Sequence, residues 1–265
     1  GFDITGIAPV NSGYINVMPA NPYWGNPGGH YCEILNNTIR DGATAVMGIF
    51  FAKSPDNTPS ANYCVVRGNT IRNLTGDVFI LTRGSFNLFE NNRLEKLNNM
   101  NFIYLFGHDL VFRGNVFLNG NSVVGVGIHP DWIQTWGNGD GSYNMLFEQN
   151  WVQDLEAAMG QLDSGGGATG IQSDIHDYLF RNNVLVNVLN NWSIEVPGVR
   201  FEHNTFYRTA YDQNGVNLSG SLTRGDIRRA FLENNAFVAN GSPNDIWGSR
   251  GWYEFFGVAF TMEVT

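Results

Sequence analysis

The chain has 265 residues, of which 32 are glycine and only 15% are charged, and its formal net charge is −9. General binding to nucleic acid is not expected, because phosphate affinity comes from clustered lysine and arginine and only 15 such residues are present. No apolar run is long enough to cross a membrane. We therefore expect neither nucleic acid nor a membrane as a partner.

A short pattern occurs eight times along the chain: an apolar residue, two positions, an asparagine, one position and a second apolar residue. The repeated asparagines are Asn37, Asn69, Asn92, Asn115, Asn150, Asn183, Asn204 and Asn235. They are 32, 23, 23, 35, 33, 21 and 31 residues apart. This spacing indicates a regular repeat that carries insertions of irregular length.

The residues around each asparagine predict short strands joined at a bend, as in Phe89 and Leu94 or Phe112 and Phe117. Leucine-rich repeats would need regularly spaced leucines, and propeller blades would need about 40 residues or more. A shortest spacing of 21 to 23 residues fits one coil of a parallel β-helix, whose neighbouring strands lie about 4.7–4.9 Å apart. The predicted fold is all-β, a single-stranded parallel β-helix of about eight or more coils.

The asparagines are expected to lie at an inward bend, where stacked side-chain amides satisfy turn groups that would otherwise be buried without partners. The fold predicts one domain over residues 1–265. Residues 1–30 should form an N-terminal cap or a first irregular coil, residues 31–240 the regular coils, and residues 241–265 a C-terminal edge. Since the chain begins at Gly1 without an initiator methionine or a signal-peptide pattern, we expect a mature or trimmed form.

Two cysteines occupy equivalent places in the first two repeats. Cys32 and Cys64 both lie five residues before an asparagine, which predicts neighbouring positions on the inward face. Two free thiols acting as small apolar residues are favoured, although stacking also permits a disulfide. Metal binding is not expected from two cysteines alone.

The asparagine register aligns residues that are far apart in the sequence. The column nine positions before each asparagine contains Ser60, Arg83, Phe106, Gly141, Asp174, Glu195 and Asp226. If the insertion GNGDGSYN forms a bulged loop, Trp136 takes the place of Gly141. The column two residues earlier contains Leu81, Tyr104, Gln134, Gln172 and Ser193 and should share the outer face, because strand alternation sends every second residue outward. Two residues after the first column come His108 and His176.

This outer face has the composition of a carbohydrate-binding surface. Aromatic rings stack on sugar C–H groups, while amides and charged groups bind hydroxyls. The predicted substrate-binding residues are Arg83, Tyr104, Phe106, Trp132, Gln134, Trp136 and Gln172. The alternative is a flank on which exposed aromatic residues are scattered without function.

The segment HPDWIQTW, residues 129–136, gives the most specific local signal. Alternation directs Ile133 and Thr135 inward, and Trp132, Gln134 and Trp136 are predicted to point outward. At the start of this strand, the Asp131 carboxylate could orient the His129 imidazole for proton transfer. The alternative is an ordinary turn at Pro130. A second cluster, GIQSDIHD, should place Gln172, Asp174 and His176 directly beside this segment.

The repeats, HPDWIQTW and the acidic residue of IQSD together resemble the right-handed parallel β-helix proteins of the pectate-lyase-like superfamily, a secreted or phage-associated group with an HxDxIQ motif. The resemblance extends from Tyr31 to Asn235. It implies a right-handed β-helix, a polysaccharide substrate, a secreted, extracellular or virion-associated location, and functional roles for His129, Asp131, Gln134 and Asp174. The DPH signature of epimerases and the calcium-binding DxD cluster of pectate lyases are absent. We therefore expect no cofactor, with Ca²⁺ as the alternative.

Two enzymatic hypotheses follow for a polysaccharide substrate. A lyase removes a proton next to the uronate carboxylate and protonates the leaving oxygen; His129 or His176 would be the base, Tyr104 the acid, and Arg83 or Lys53 would neutralise the carboxylate.

A glycoside hydrolase instead needs two carboxyl groups, for which Asp131, Asp174 and Glu195 are candidates. Stacking of Asp174 on Glu195 would raise one pKa and create a proton donor. A polysaccharide lyase is the first prediction and a hydrolase the second. A non-catalytic glycan-binding or tailspike-type protein is the third.

Overall fold

The computed structural model describes residues 1–6, 13–18, 29–52, 61–98, 101–121, 131–137, 141–155, 160–162, 174–188, 192–194, 196–207 and 231–238. The regular elements in these ranges are β-strands, and no helix occurs among them. Accordingly, this part of the chain contains no helix able to span a membrane.

The strands are short, with two long exceptions in the first repeats. In chain order the first twelve are β1 Asp3–Gly6, β2 Gly13–Val17, β3 Glu33–Leu35, β4 Thr38–Phe51, β5 Val65–Arg67, β6 Thr70–Leu81, β7 Leu88–Glu90, β8 Arg93–Asn98, β9 Asn101–Tyr104, β10 Gly107–His108, β11 Val111–Arg113 and β12 Val116–Asn121. The others are β13 Ile133–Thr135, β14 Ser142–Glu148, β15 Trp151–Leu155, β16 Gly160–Leu162, β17 Ile175–Arg181, β18 Val184–Val188, β19 Trp192–Ile194, β20 Val199–Glu202, β21 Thr205–Tyr207, β22 Phe231–Glu233 and β23 Ala236–Val238.

These strands form a 14-stranded and a 9-stranded sheet in which equivalent strands of successive repeats pair in parallel. The smaller sheet holds the leading row, whose strands precede the asparagines: β3, β5, β7, β11, β14, β17, β20 and β22. The larger sheet holds a following row after the asparagines, from β8 to β23, and a third row of β9, β13, β16 and β19. Strand β6 joins these two rows, because it pairs with both β8 and β9. The prediction of an all-β protein with parallel sheets is confirmed.

The repeated asparagines lie at the bend between the leading and following rows, here called the asparagine corner. Their side chains form an uninterrupted series of hydrogen bonds from Asn37 to Asn235. At its centre, Asn115 Nδ2 donates to Asn150 Oδ1 at 3.1 Å and to Phe89 O at 2.9 Å. Asn115 Oδ1 accepts from the backbone N–H of Asn92 at 2.9 Å. From Asn69 onward, each side chain thus satisfies one backbone N–H at the bend and one carbonyl of the leading row, both in the preceding repeat.

The residue before each repeated asparagine has a left-handed backbone. These residues are Asn36, Gly68, Asn91, Gly114, Gln149, Asn182, His203 and Asn234, with φ between 53° and 66°. Glycine and asparagine tolerate this conformation best. The frequent NN and GN pairs in the sequence therefore have a conformational cause.

The core is a stack of phenylalanines inside the leading row. Phe89, Phe112, Phe147, Phe180 and Phe201 are stacked with centroid separations of 4.6, 4.7, 5.0 and 4.8 Å. Each lies three residues before an asparagine. Aromatic residues at this repeat position therefore fill the interior of successive repeats.

Outside the same row, arginine and glutamate alternate from Arg67 to Glu202, and Glu233 then pairs with Glu202. Glu148 Oε1 accepts from Arg113 Nε at 2.6 Å and Glu148 Oε2 accepts from Arg181 Nη2 at 2.6 Å. Arg67 binds Glu90 in the same way at 2.7 Å. Opposite charges on neighbouring strands favour the observed register over one that would place like charges together.

The two cysteines are neighbours with free thiols. The backbone N–H of Val65 donates to Cys32 O at 2.8 Å, which places Cys32 beside Cys64. Cys64 is fully buried and Cys32 packs against the core. A hydrogen bond with Cys64, together with burial, raises the pKa of the Cys32 thiol.

Candidate functional site

The third row presents the outer face on which the sequence places its main candidates. Tyr104 pairs with Leu81 on one side and with Gln134 on the other. The next partner of Gln134 is Gln161, which in turn pairs with Ser193. The column of Leu81, Tyr104, Gln134 and Ser193 is confirmed. The expected position of Gln172 beside Gln134 is wrong, because Gln161 occupies that place.

An apolar group, here called the outer cluster, covers this face separately from the interior core. Its members are Met47, Phe50, Val78, Leu81, Tyr104, Phe106 and Trp136. The Trp136 ring contacts both Tyr104 and Phe106 edge-on, with centroid separations of 4.9 Å in each case. The prediction that Trp136 lies beside Phe106 is confirmed.

Phe106 faces outward but is covered. Its exposed fraction is 1%, since Trp136 packs on one side and the Arg83 guanidinium carbon lies 5.7 Å from its ring centroid on the other. The prediction of Phe106 as an exposed stacking surface is wrong. Phe106 instead supports Trp136 and Arg83, which remain partly exposed.

Arg83 is held against aromatic rings on this face. Its guanidinium carbon also lies 6.0 Å from the Phe50 ring centroid, and Nη1 donates to Phe51 O at 3.5 Å. A planar cation over ring faces is a stabilising arrangement. The positive charge therefore lies at the edge of the outer cluster, on the same side as Tyr104.

Tyr104 carries the clearest electrostatic perturbation of the face. Its hydroxyl donates to Asp77 Oδ1 at 2.8 Å. Burial first, and then the charge of Asp77, raise the pKa of the Tyr104 phenol above its usual range. The phenol therefore keeps its proton, in contact with a carboxylate and the edge of Trp136.

Asp131 and Gln134 are linked through Asn101. The Asn101 amide donates to Gln134 Oε1 at 2.7 Å, and its Oδ1 accepts from the backbone N–H of Asp131 at 2.6 Å. Asp131 is fully buried, so it does not stand exposed at the start of the strand. It lies close enough to Tyr104 for its charge to add to the rise in the pKa of that phenol.

Trp132 lies in the core, contrary to prediction. It is fully buried and packs against Phe117, Phe147 and Phe180 at centroid separations of 5.7, 5.7 and 5.9 Å. The regular strand begins only at Ile133, and alternation does not hold across the turn that precedes it. Ile133 and Thr135 point inward as predicted, and Gln134 and Trp136 are partly exposed.

His129, Gln172 and Glu195 lie outside the described residues, as do Lys53, Ser60 and Asp226. Their proposed roles, and the pairing of His129 with Asp131, stay predictions. The same applies to Asp174 stacking on Glu195.

Asp174 and His176 lie beyond the next bend rather than beside Gln134. Asp174 O accepts from the backbone N–H of Ser142 at 2.9 Å. His176 belongs to β17 in the smaller sheet and pairs with Tyr143, whereas Gln134 belongs to the larger sheet. The expected cluster of Asp174 and His176 around Gln134 is therefore wrong, because the insertions after β13 and β16 separate the two columns.

His176 is part of a stack here called the histidine column: His108, Tyr143 and His176. The His108 and Tyr143 rings are parallel with centroids 4.7 Å apart, and the Tyr143 and His176 centroids are 5.1 Å apart. The predicted alignment of His108 with His176 is confirmed. Tyr143 was missed, although it occupies the same register position.

Asp77, Asn101 and Gln161 were also missed by sequence reasoning. The position of Gln161 could have been predicted from the sequence. Residues 163–173 contain the Gly-rich stretch SGGGATG, and omitting them from the count, as was done for GNGDGSYN, aligns Gln161 with Gln134. Asp77 and Asn101 carry no signal in the repeat register. Their roles depend on side-chain contacts across strands.

The sequence matches no protein-family model, and no curated protein matches it. Among solved structures, a mutant tailspike of E. coli bacteriophage HK620 in complex with a pentasaccharide has a TM-score of 0.61 and 15% identity over 88% of this chain. The chain spans 41% of that protein's length. The likeness shows a shared fold.

Two enzymes are also similar. A mannuronic acid specific family 6 polysaccharide lyase from human gut microbiota has a TM-score of 0.47 and 14% identity, over 84% of this chain and 53% of that one. The catalytic unit of a thermostable GH87 α-1,3-glucanase from Streptomyces thermodiastaticus has a TM-score of 0.34 and 14% identity, over 90% of this chain and 51% of that one.

Proposed function

We propose that the chain is a right-handed parallel β-helix enzyme that cleaves an extracellular polysaccharide by β-elimination, at a site on the third row. The observation that carries the proposal is Tyr104, a phenol kept protonated beside Asp77 and in contact with the neighbouring strand at Gln134 and Trp136. A secreted or virion-associated location accords with such a substrate. The shared fold with a tailspike solved with a pentasaccharide supports a glycan ligand.

Binding would use the partly exposed side chains of the outer face. Trp136 offers an apolar surface to the C–H groups of a sugar ring, and Gln134 provides an amide for its hydroxyls. The buried Asn101 holds Gln134 in place through its hydrogen bond to Oε1. Phe106 and Leu81 hold this surface from beneath, because both are buried. A support of packed side chains keeps the ligand-contacting groups in place.

Elimination requires three functions in one place. A base removes the proton next to the uronate carboxylate, a cation stabilises the charge that develops, and an acid protonates the leaving glycosidic oxygen. We assign the acid to Tyr104 and the cation to Arg83. His129 is proposed as the base.

The raised pKa of Tyr104 keeps the phenol protonated but also makes it a weaker acid. A donor must hold its proton when the reaction begins, and burial keeps this phenol neutral. Because it is then a weak acid, the transfer would be concerted with cleavage of the C–O bond, when the leaving oxygen becomes basic. Gln134, on the neighbouring strand, is placed to orient the sugar for this step.

A glycoside hydrolase is the second candidate, favoured by one observation. The charges of Asp77 and Asp131 both raise the pKa of Tyr104, so two carboxyl groups lie near the same phenol. Hydrolysis uses a pair of carboxyl groups about 5–5.5 Å or about 6.5–9.5 Å apart. In this case Asp131 and Asp77 would be the two catalytic carboxyl groups. They would take the roles that the sequence suggests for Asp174 and Glu195.

The three hypotheses are separated by one assay on a panel of uronate-containing and neutral polysaccharides. Ultraviolet absorbance detects the unsaturated product, and a second reaction counts new reducing ends. A lyase gives both signals and a hydrolase gives only reducing ends. Neither signal, together with retained glycan binding, would identify a binding protein and overturn the proposed catalysis.

The role of Tyr104 is tested by Tyr104→Phe. The substitution keeps the ring contact with Trp136 and removes the proton, so turnover should fall by roughly 10²–10⁴-fold with little change in KM. Tyr207→Phe is the matched control, since Tyr207 is 38% exposed on β21, away from the third row. Equal activity of both variants would remove Tyr104 from the mechanism.

A further inference from the structure

The bend between the third row and the leading row carries a second polar column, next to the proposed site. Successive repeats place Asn62, Ser85, His108, Tyr143 and His176 at equivalent positions. The backbone N–H of Ser85 donates to Asn62 Oδ1 at 2.7 Å, and Ser85 forms a parallel bridge with His108. His108 then pairs with Tyr143, and Tyr143 with His176.

Two members of this column, Ser85 and His108, form a chain of short hydrogen bonds with Asp109. Ser85 Oγ lies 2.6 Å from His108 Nε2, and His108 Nδ1 lies 2.6 Å from Asp109 Oδ2. An ionised carboxylate only accepts hydrogen bonds, so Nδ1 carries the proton in neutral His108. Nε2 then accepts the Ser85 hydroxyl proton. A serine, an imidazole and a carboxylate joined through these atoms can activate the serine as a nucleophile.

The other histidine of the column provides an internal comparison. His176 Nδ1 lies 2.7 Å from Asp177 Oδ2, just as His108 binds Asp109. Its Nε2, however, lies 3.2 Å from Asp174 Oδ1 instead of a hydroxyl. His176 thus has a carboxylate at each ring nitrogen, and among the described residues no hydroxyl or thiol is bonded to it. The two histidines differ in the one contact that matters for this chemistry.

The column also supplies a donor for a developing oxyanion. Asn62 Oδ1 accepts a hydrogen bond from the backbone N–H of Ser85. This bond fixes the orientation of the Asn62 side-chain amide. In the described part of the chain nothing accepts from Asn62 Nδ2, so this amide can donate to a substrate beside Ser85. Side-chain amides are among the groups that stabilise tetrahedral intermediates of acyl transfer.

The histidine side of this group reaches solvent, whereas Ser85 itself is buried. The His108 side chain is 33% exposed, and Ser85 retains 5% of its surface. Phe86 is 48% exposed and packs edge-on against His108 with centroids 5.8 Å apart. Its ring offers an apolar wall next to the nucleophile.

We propose that Ser85, His108 and Asp109 form a second active site that hydrolyses acyl esters. Ser85 Oγ attacks the carbonyl carbon while its proton passes to His108 Nε2, and Asn62 Nδ2 stabilises the oxyanion. The C–O bond to the alcohol breaks and His108 returns the proton to the departing oxygen. Water, deprotonated by His108, then attacks the acyl-serine, which releases the carboxylic acid and restores Ser85. Asp109 orients His108 throughout.

The substrate class is an O-acylated polysaccharide, and this part rests on the proposed function. His108 follows Phe106 by two residues, so the second site lies next to the outer cluster along the same chain segment. A glycan bound there would bring ester groups close to Ser85. Removal of acyl groups would expose the sugar hydroxyls to the proposed cleavage site.

The test begins with a probe that needs no glycan. The purified chain is treated with diisopropyl fluorophosphate and the modified residue is located by peptide mass spectrometry. Ser85 should be labelled, and labelling should disappear in Ser85→Ala and slow strongly in His108→Ala. Absence of label on Ser85 would overturn the proposal, whatever the stability of the variants.

Turnover is measured with p-nitrophenyl acetate and as acetate released from O-acetylated xylan. Ser85→Ala and His108→Ala should lower kcat/KM for the ester by roughly 10²–10⁴-fold, and Asp109→Asn by a comparable factor. His176→Ala and Asp177→Asn are the matched controls and should stay within about twofold. Equal losses in both histidine variants would indicate a structural role and overturn the assignment.

The two proposals fail independently. Labelled Ser85 and ester hydrolysis without cleavage of any polysaccharide would uphold the esterase and refute the lyase. Chain cleavage that depends on Tyr104, with Ser85 unlabelled, would do the reverse. Melting temperatures of all variants identify those that fail to fold.

Discussion

The asparagine corner and the third row arise from the same repeat, yet only the corner is uniform along the chain. At the corner every repeat supplies an inward asparagine, preceded by a residue in the left-handed conformation. In the third row the equivalent position holds Leu81, then Tyr104, Gln134 and Gln161. Insertions interrupt the third row and spare the corner. A repeat protein can thus vary one face for function while another face preserves the register.

The physical cause of this difference lies in what each region buries. The corner encloses backbone groups that need partners, and an asparagine amide supplies both a donor and an acceptor at each level. The outer side chains of the third row pack against one another in the outer cluster and bond few backbone groups, so substitutions there leave few backbone groups unsatisfied. Each of the following experiments tests that contrast.

Asn115→Leu should cause the largest loss of stability. The change leaves Asn92 N and Phe89 O without their side-chain partners, at about 1–3 kcal/mol for each group. Chemical denaturation should therefore show a loss of about 2–6 kcal/mol in the free energy of unfolding. Gln153→Leu on the outer side of β15 is the control and should change stability by about 0.5 kcal/mol or less. Similar losses in the two variants would contradict a special role for the corner.

Trp132→Ala should destabilise the fold nearly as much, although Trp132 lies only four residues before Trp136. The substitution removes a fully buried ring from contact with Phe117, Phe147 and Phe180. Removal of a buried aromatic side chain costs about 3–5 kcal/mol. A change in the free energy of unfolding below about 1 kcal/mol would mean that Trp132 is not in the core.

Trp136→Ala should show the opposite balance, with binding affected more than folding. Loss of its apolar contact with a sugar, about 1.5–3 kcal/mol, should weaken oligosaccharide binding by about 10- to 100-fold. Calorimetric titration measures this change, and a denaturant melt of the same protein gives its stability. If Trp136→Ala and Trp132→Ala lose stability equally, the division between outer cluster and core is incorrect.

The smallest effect is expected at Glu148, on the regular leading row. Burial alone would raise the pKa of its carboxyl, but hydrogen bonds from Arg181 and Arg113 outweigh burial and lower that pKa. A carboxyl with a lowered pKa stabilises the fold above its unfolded pKa, near 4.3, and loses this contribution as the pH falls through the folded value. Melting temperature measured from pH 7 to pH 3 should fall less steeply in Glu148→Gln than in the unmodified chain. Parallel curves would show that the ion pairs do not contribute.

The inward or outward direction of side chains in β13, and of Trp136 directly after it, was predictable from the sequence. The direction of Trp132, directly before this strand, was not. Ile133, Thr135, Gln134 and Trp136 obey alternation within or next to β13, as expected. Trp132 precedes the strand and turned inward, which removes it from the predicted binding set. Gln172 was displaced by Gln161, because a second insertion shifts the count by eleven residues. Alternation is reliable only while the backbone stays extended.

The sequence by itself determined the repeat, the parallel all-β architecture, the inward asparagines and the phenylalanine core, because each follows from a local pattern that every coil must satisfy to bury its backbone and side chains. Only the tertiary structure decided which side chains meet on the outside. The contact of Tyr104 with Asp77, the link from Asp131 through Asn101 to Gln134, and the chain from Ser85 to Asp109 all join residues whose spacing depends on insertions and on left-handed turns. Their chemistry comes from neighbours in space, which one repeat pattern does not specify.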